Sequence, residues 1–214
     1  MIKIAITKGR IEKQVCQLLA KQGFDMDPIF HKDRELLIET KDGIQMIFAK
    51  SNDVLTFLEH GIVDVGFVGS DTLMESDYDD YYEMLDLEIG KCKFIVASLP
   101  EIHLFSKVGH IKIGTKYPEV AKNYFLKKGM DVEIIKIDGS VELAPILGLC
   151  DGIVDIMETG TTLKENGLVV LDTVCDISAR VIVNKASYKL KKEEVMKVIS
   201  DLESMVKKNA LSDQ

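Results

Sequence analysis

Residues 2–21, IKIAITKGRIEKQVCQLLAK, place a short apolar run directly before an amphipathic segment. The apolar run, Ile2–Ile6, has the length of a strand, and from Ile11 onward apolar residues recur at helical spacing. Gly23 is suited to end that helix. The loop Thr7–Arg10 is therefore predicted to follow the carboxyl end of a buried strand and to lead into a helix.

The same rhythm of strand and helix recurs along the chain and predicts an α/β fold with mainly parallel sheets, whose ligand sites lie at the carboxyl ends of the strands. An Asp-Gly hairpin at Lys41–Gly43 joins two shorter runs, and Ser51–Asp53 has the composition of a helix N-cap. A crossing into a second lobe is expected near residue 90. Further strands are predicted at Val63–Val68, Lys93–Ser98, Ile111–Thr115, Val132–Ile137 and Gly152–Met157, with helices at Glu119–Lys128 and Val141–Leu149.

Composition excludes several classes of protein. The 214 residues are 46% hydrophobic and carry a net charge of −8, which opposes non-specific binding to nucleic acid or to an anionic membrane. No segment approaches the ~20 apolar residues of a membrane span, and the N-terminus does not resemble a signal peptide. The four cysteines form no CxxC pair. We expect a cytoplasmic protein with reduced thiols.

The stretch DIMETGTTL, residues 155–163, is the most informative for function. A predicted strand delivers Asp155 and Glu158, and a glycine flanked by three threonines then enters a helix. Backbone N–H groups and hydroxyls at a helix start bind phosphate, and carboxylates suit ribose hydroxyls. The lysine of a P-loop is absent. Thr159, Gly160, Thr161 and Thr162 therefore form either the phosphate site of a 5-phosphoribosyl ligand or an ordinary helix cap.

Cations follow other predicted strands. Lys8-Gly9-Arg10 could bind a pyrophosphate through the planar guanidinium of Arg10, and a solvated turn is the alternative. Arg34 and Lys50 are either surface charges or further parts of such a site.

Acids flank one of the predicted strands. Asp64 precedes the run that ends in the Gly-rich loop Gly69–Asp71. Asp71 could help to hold a Mg²⁺ ion that is bound mainly by substrate phosphates, or could cap a helix. The four histidines lack metal-ligand spacing, and none is assigned a catalytic role.

Together, in order along the chain, these motifs resemble those of the ATP phosphoribosyltransferases, which begin histidine biosynthesis. The resemblance covers nearly the whole sequence and is densest between residues 139 and 163. The matching segments are Thr7–Ile11, Asp64–Asp71, Leu85–Lys93, Thr115–Pro118, Gly139–Pro145, Thr159–Leu163 and Ala179–Asn184.

The resemblance implies a fold like that of the periplasmic binding proteins, with two α/β lobes, mixed mainly parallel sheets and an interlobe cleft. Residues 1–90 plus 178–214 would form the first lobe, and residues 91–177 the second. The chain ends where the histidine-binding regulatory domain of the long form would begin, so the short form is expected. Short forms work with a histidyl-tRNA synthetase-like regulatory subunit in a hetero-octamer, which implies that partner and a homodimer of catalytic subunits here.

The implied reaction joins C1 of 5-phosphoribosyl-1-pyrophosphate to N1 of ATP and releases pyrophosphate, with Mg²⁺ as cofactor. Arg10 and Arg34 would be catalytic. The substrate-binding residues would be Lys8, Gly9, Lys50, Asp71, Glu142, Asp155, Glu158, Thr159, Gly160, Thr161 and Thr162. Lys50 and Lys93 stand where the family commonly has Arg, and Glu158 where it commonly has Ser or Asp, which changes the contacts expected there.

Two other functions fit parts of the sequence. A ligand-binding module without catalytic activity could use a two-lobed α/β fold. A base-salvage phosphoribosyltransferase could use a similar phosphate loop, but such enzymes typically have a different fold with two adjacent acids before the loop. Here Ile156-Met157 separates Asp155 from Glu158.

Overall fold

A computed structural model describes residues 1–107 and 109–212. Contacts between residues divide the chain into two compact units, one made of Met1–Gly90 with Ser178–Gln214 and the other of Lys91–Ile177. No helix in the described ranges is both long enough and apolar enough to cross a membrane.

The elements alternate between strand and helix over most of the chain. In order they are β1 (Ile2–Thr7), α1 (Arg10–Lys21), α2 (Asp27–Phe30), β2 (Leu37–Glu39), β3 (Ile44–Ala49), α3 (Ser51–Glu59), β4 (Val65–Gly69), α4 (Ser70–Glu75), β5 (Tyr81–Asp86), β6 (Cys92–Ser98), β7 (Lys112–Thr115), α5 (Pro118–Lys127), β8 (Glu133–Lys136), α6 (Leu143–Ile146), β9 (Gly152–Met157), α7 (Thr161–Glu165), β10 (Val169–Ile177), β11 (Ala179–Asn184), α8 (Lys185–Leu190) and α9 (Lys192–Ser212).

The first unit contains one six-stranded sheet in the order β2-β3-β1-β4-β11-β5. Successive side chains of β1 point to opposite faces, as the pleat of a strand requires. Ile4 and Ile6 are fully buried against α1 and α9, whereas Ala5 packs with Val54 and Leu58 of α3. Helices therefore cover both faces of the sheet, and its polar groups are displayed at the strand ends.

The second unit contains a five-stranded sheet in the order β10-β6-β9-β7-β8. Ile113 and Phe125 belong to the core between this sheet and α5, and Ile95 and Ile153 belong to the core on the opposite face with α6 and α7. Pro118 occupies the first turn of α5, and Gly129 follows its end with a φ of +69°, as the sequence predicts.

Both sheets are mixed, as expected, but they are not mainly parallel. Among the described strands, four pairings are parallel and five are antiparallel. Three of the five antiparallel pairings come from the returning chain, because β10 runs back along β6 and β11 enters between β4 and β5, antiparallel to both. The other two are the pairing of β2 with β3 and the pairing of β6 with β9. Parallel pairing is confined to β3-β1-β4 and to β8-β7-β9.

Asp64 lies at the amino end of β4 and is bonded entirely to protein groups. Its side chain accepts hydrogen bonds from the backbone N–H of Lys3 at 2.8 Å, from the Ser187 hydroxyl at 2.6 Å and from Lys191 Nζ at 2.9 Å. Burial acts to raise the pKa of Asp64, but these bonds outweigh it and the pKa is lowered. The network joins β1, β4 and α8, so the fold itself satisfies the carboxylate of Asp64.

We predict that Asp64→Asn lowers the free energy of unfolding by about 2–3 kcal/mol at pH 7, since it leaves Lys191 without its carboxylate. Because the pKa is lowered in the folded state, this stability is present above the ordinary pKa and is lost as the pH falls through the folded value. Urea unfolding should therefore show the two proteins converging below about pH 4. Asp80→Asn, which breaks an exposed pair with Lys185, is the control, with a cost under ~1 kcal/mol.

Candidate functional site

The carboxyl ends of β1, β3 and β4 meet at one edge of the first sheet, because these three strands are parallel neighbours. The backbone N–H of Lys8 donates to the Ala49 carbonyl at 2.9 Å, which brings Lys8 beside the residue that precedes Lys50. Lys50 is the N-cap residue of α3, with an exposed side chain. The helix begins at Ser51, so the predicted cap at Ser51–Asp53 lies one residue too late.

Gly9 forms the tight turn between β1 and α1. Its φ of +101° lies in a region that favours glycine, and its backbone N–H donates to Glu12 Oε2 at 3.3 Å. Arg10 is the first residue of α1, and its guanidinium donates to the carbonyl of Gly90 at 3.2 Å. Lys8 and Arg10 are exposed. The turn therefore presents two cations on an anchored backbone.

Arg34 lies in the loop between α2 and β2, with an exposed side chain. β2 runs antiparallel to β3, and the N–H of Phe48 donates to the carbonyl of Leu36 at 2.8 Å. The residues just before β2 therefore lie at the same edge as the carboxyl end of β3. This pairing brings the segment with Arg34 to the edge that carries Lys8 and Lys50.

Asp71 lies in the first turn of α4, not in the loop that the sequence suggested. Ser70 begins the helix directly after β4, because its N–H donates to the carbonyl of Ser178 at 2.9 Å and continues the pairing with the returning chain. The carboxylate of Asp71 folds back over Gly69, where a Cβ atom would lie 2.1 Å from Oδ1. Gly69 is required for this close approach, and Asp71 stays half-buried at the strand end.

The second unit has a comparable edge, formed by the carboxyl ends of β7, β8 and β9. Asp155 lies near the end of β9, half-buried, and accepts a hydrogen bond from the N–H of Ile156 at 2.8 Å. Burial raises the pKa of Asp155; nearby Glu142 acts in the same direction, while Lys116 opposes it. Glu142 precedes α6, and Lys116 follows β7. The edge thus holds two interacting acids and one cation.

The segment Glu158–Thr162 continues from β9 into α7. Gly160 adopts a left-handed conformation, with φ 77° and ψ 2°, and Thr161 begins the helix. The hydroxyls of Thr159 and Thr161 lie 3.1 Å apart, and the N–H of Thr161 donates to Thr159 Oγ1 at 3.4 Å. Thr159, Thr161 and Thr162 are exposed, as is Glu158. Hydroxyl and backbone donors therefore converge at an accessible helix start.

Sequence reasoning missed two charged residues at these edges. Glu12 bonds to Gly9, a contact that its position three residues into α1 could have indicated. Lys32, to which the sequence analysis assigns no role, has its Nζ 2.6 Å from Glu12 Oε1 and 3.1 Å from the ring centroid of Phe48. That ion pair spans two segments and carries no local sequence signal.

Comparison with known proteins identifies the family. A family model described as ATP phosphoribosyltransferase matches residues 50–204. The ATP phosphoribosyltransferase of Lactococcus lactis subsp. cremoris (strain MG1363) is 54% identical over 206 residues, which cover 95% of this chain and 98% of that protein. The chain belongs to the ATP phosphoribosyltransferase family. A relative of the same name from Clostridium kluyveri is 53% identical over 206 residues, covering 96% of this chain and 94% of the relative.

Solved structures agree with membership of the ATP phosphoribosyltransferase family. A chain in the ATP phosphoribosyl transferase (HisG:HisZ) complex from Thermotoga maritima superposes with a TM-score of 0.82 at 38% identity, covering 97% of this chain and 99% of that one. The VFT2 domain of Bordetella pertussis BvgS superposes with a TM-score of 0.59 at 12% identity, covering 94% and 85%. The second likeness concerns the fold alone.

We predict that Gly160→Ala distorts the segment between β9 and α7 and weakens substrate binding there. A Cβ atom there would lie 3.1 Å from Met157 Sδ, and the left-handed φ costs a non-glycine residue about 1–2 kcal/mol. Relief of that strain should displace Thr159 and Thr161 and raise the KM for the phosphorylated substrate. Gly167→Ala is the control, since Gly167 has a φ of +73° and open space around its Cβ position. Similar KM values in both variants would contradict the prediction.

Asp155→Asn is expected to stabilise the fold while impairing function. The raised pKa means that the charged carboxylate is disfavoured in the folded state, so its removal should increase the free energy of unfolding at pH 7. The gain should shrink as the pH falls through the folded pKa, because the wild-type carboxyl then becomes neutral as well. Thermal unfolding at several pH values, paired with a rate assay, measures both effects. Destabilisation at pH 7 would show that the charge supports the fold.

Proposed function

We propose that this chain transfers the 5-phosphoribosyl group of 5-phosphoribosyl-1-pyrophosphate to N1 of ATP and releases pyrophosphate, the first step of histidine biosynthesis. The observation that carries this proposal is 54% identity over nearly the full length to a protein named ATP phosphoribosyltransferase. In the reaction, the N1 lone pair forms a bond to C1 of the ribose as the bond from C1 to the pyrophosphate oxygen breaks. A neutral ring nitrogen needs no strong base.

The main catalytic requirement is stabilisation of the charge that develops on the departing pyrophosphate. Arg10 and Arg34 are proposed to provide it, because planar guanidinium groups bind phosphate oxygens in pairs. Lys8 and Lys50 are proposed to bind substrate phosphates as point charges. Support comes from the pairing of β1, β2 and β3, which gathers the segments that carry these four residues at one sheet edge.

The ribose and its 5′-phosphate are assigned to the second unit. Thr159, Gly160, Thr161 and Thr162 are proposed to bind the phosphate through hydroxyl and backbone donors. Glu142, Asp155 and Glu158 are proposed to accept hydrogen bonds from ribose hydroxyls. The raised pKa of Asp155 supports this role, because a half-buried acid with few internal donors is one that a ligand can satisfy. Gly9 and Asp71 complete the proposed set in the first unit.

Mg²⁺ fits these residues as an ion held mainly by substrate phosphates. Among the described residues, no group of three or more His, Cys, Asp or Glu side chains is arranged to hold a metal ion by itself. Mg²⁺ in phosphoryl and pyrophosphate sites usually takes one or two carboxylates, and Asp71 or Asp155 could supply them. When bound, the ion would neutralise charge on the pyrophosphate oxygens.

A regulatory partner is also part of the proposal. The Thermotoga maritima relative was solved in a complex with HisZ. By that similarity, this chain is proposed to bind a histidyl-tRNA synthetase-like HisZ subunit, as a homodimer of catalytic subunits within a hetero-octamer. A cytoplasmic location is proposed because ATP and the other metabolites of amino-acid biosynthesis are supplied there.

The direct test is formation of phosphoribosyl-ATP from ATP, 5-phosphoribosyl-1-pyrophosphate and Mg²⁺, with and without a HisZ subunit. We expect product in the presence of HisZ, and a lower rate without it. Binding of both substrates without any product in either mixture would favour the ligand-binding module and would sink the proposed reaction.

Arg10→Ala tests the role proposed for the turn between β1 and α1. We expect kcat to fall by about 10²-fold with HisZ present, the usual loss when one donor to developing charge is removed. Lys13→Ala is the matched control, because Lys13 is an exposed cation on the same helix that no part of the proposed site uses. An unchanged kcat for Arg10→Ala would remove Arg10 from the catalytic residues.

A further inference from the structure

Glu12 and Lys32 form an ion pair beneath the cationic edge of the first sheet. Lys32 Nζ lies 2.6 Å from Glu12 Oε1, and the two side chains are only 15% and 17% exposed. The second oxygen of Glu12 accepts the N–H of Gly9, and Lys32 Nζ also lies over the ring of the buried Phe48. Charged side chains are rarely so covered unless they are paired, so the two side chains form a specific contact of the fold and not a chance pair on the surface.

The pair joins three segments that are separate in sequence. Glu12 belongs to the first turn of α1, Lys32 to the loop after α2, and Phe48 to the end of β3. Each of these segments carries a cation of the proposed substrate site within two residues of the contact. Arg10 precedes Glu12 by two residues, Arg34 follows Lys32 by two, and Lys50 follows Phe48 by two.

The electrostatic setting gives the pair a further effect. Lys8, Arg10, Arg34 and Lys50 bring four positive charges to one edge, and like charges in proximity repel. Glu12 places a carboxylate among the segments that carry them, and its low exposure limits screening of its charge by solvent. The contact therefore opposes separation of the α1 turn from the loop that contains Arg34.

We infer that Glu12 and Lys32 are positioning residues, which hold the segments of Arg10 and Arg34 together so that both guanidinium groups can bind pyrophosphate. This inference rests on the proposed function, because it assigns the two arginines to the departing group. A displacement of about 1 Å in such groups costs up to ~10²-fold in rate. Neither Glu12 nor Lys32 is placed in contact with substrate.

The alternative is that the pair only stabilises the fold, and a second ion pair in the same unit, with a buried carboxylate, provides the comparison. Lys191 contacts Asp64, whose side chain is 5% exposed, at the opposite edge of the sheet. Lys191→Met should therefore lower the melting temperature without changing kcat. Lys32→Met removes the charge but keeps an unbranched chain over Phe48, and Glu12→Gln keeps an acceptor for the Gly9 N–H. Lys32→Arg preserves the charge.

The experiment measures kcat and KM with HisZ at a temperature well below every melting point, and the affinity for inorganic pyrophosphate with Mg²⁺ by calorimetry. We expect Lys32→Met and Glu12→Gln to lose about 10-fold in both kcat and pyrophosphate affinity. Lys32→Arg should stay within about twofold of the wild type, since it retains the ion pair.

Two results would overturn the inference. One is wild-type kcat and pyrophosphate affinity in Lys32→Met and Glu12→Gln, with a lowered melting temperature like that of Lys191→Met. The other is a loss in Lys32→Arg as large as in Lys32→Met. A wild-type protein that binds pyrophosphate but forms no phosphoribosyl-ATP would instead contradict the proposed function, and the affinity series would still decide whether the pair positions the anion site.

Discussion

Parallel pairing of β1 with β3 and β4 fixes where the chemistry of the first unit can lie. Strand ends that are far apart in sequence meet at one edge because the backbone hydrogen bonds align them, and the charged residues that follow those strands are gathered at that edge. The second unit repeats the device with β8, β7 and β9, which bring the segments of Lys116, Glu142 and Glu158 to one edge. The antiparallel strands extend both sheets and carry the returning chain.

The buried acid Asp64 and the half-buried acid Asp155 differ in how far the protein itself supplies hydrogen-bond donors to their carboxylates. Asp64 receives donors from three residues, and its pKa is lowered despite burial. Asp155 receives one backbone N–H and faces Glu142, and its pKa is raised. The first carboxylate is satisfied by the fold, whereas the second retains capacity to accept hydrogen bonds from a ligand. The net charge of −8 makes no such distinction, since it describes the whole surface.

Local patterns predicted the features that depend on neighbouring residues. The periodicity of α1, the proline and glycine that bound α5, and the turn at Gly160 were all readable from the sequence. The edge strand β5 was not, because its exposed residues show little alternation and its pairing depends on β11, nearly 100 residues later. The larger share of antiparallel pairing and the Glu12–Lys32 pair depend likewise on contacts between distant segments, for which one sequence has no signal.

Two cations of the proposed site lie at helix starts, where the helix dipole disfavours positive charge. Lys50 caps α3 and Arg10 opens α1, although the amino terminus of a helix carries partial positive charge and prefers acids. Glu12 offsets part of this charge in α1 through its contacts with Gly9 and Lys32. A polyphosphate would be attracted by the side-chain cations and the helix termini together, and its binding would stabilise the folded chain by mass action. The arrangement is thus unfavourable for the isolated helices and favourable for the complex with an anion, which is the order of stability expected of a substrate site.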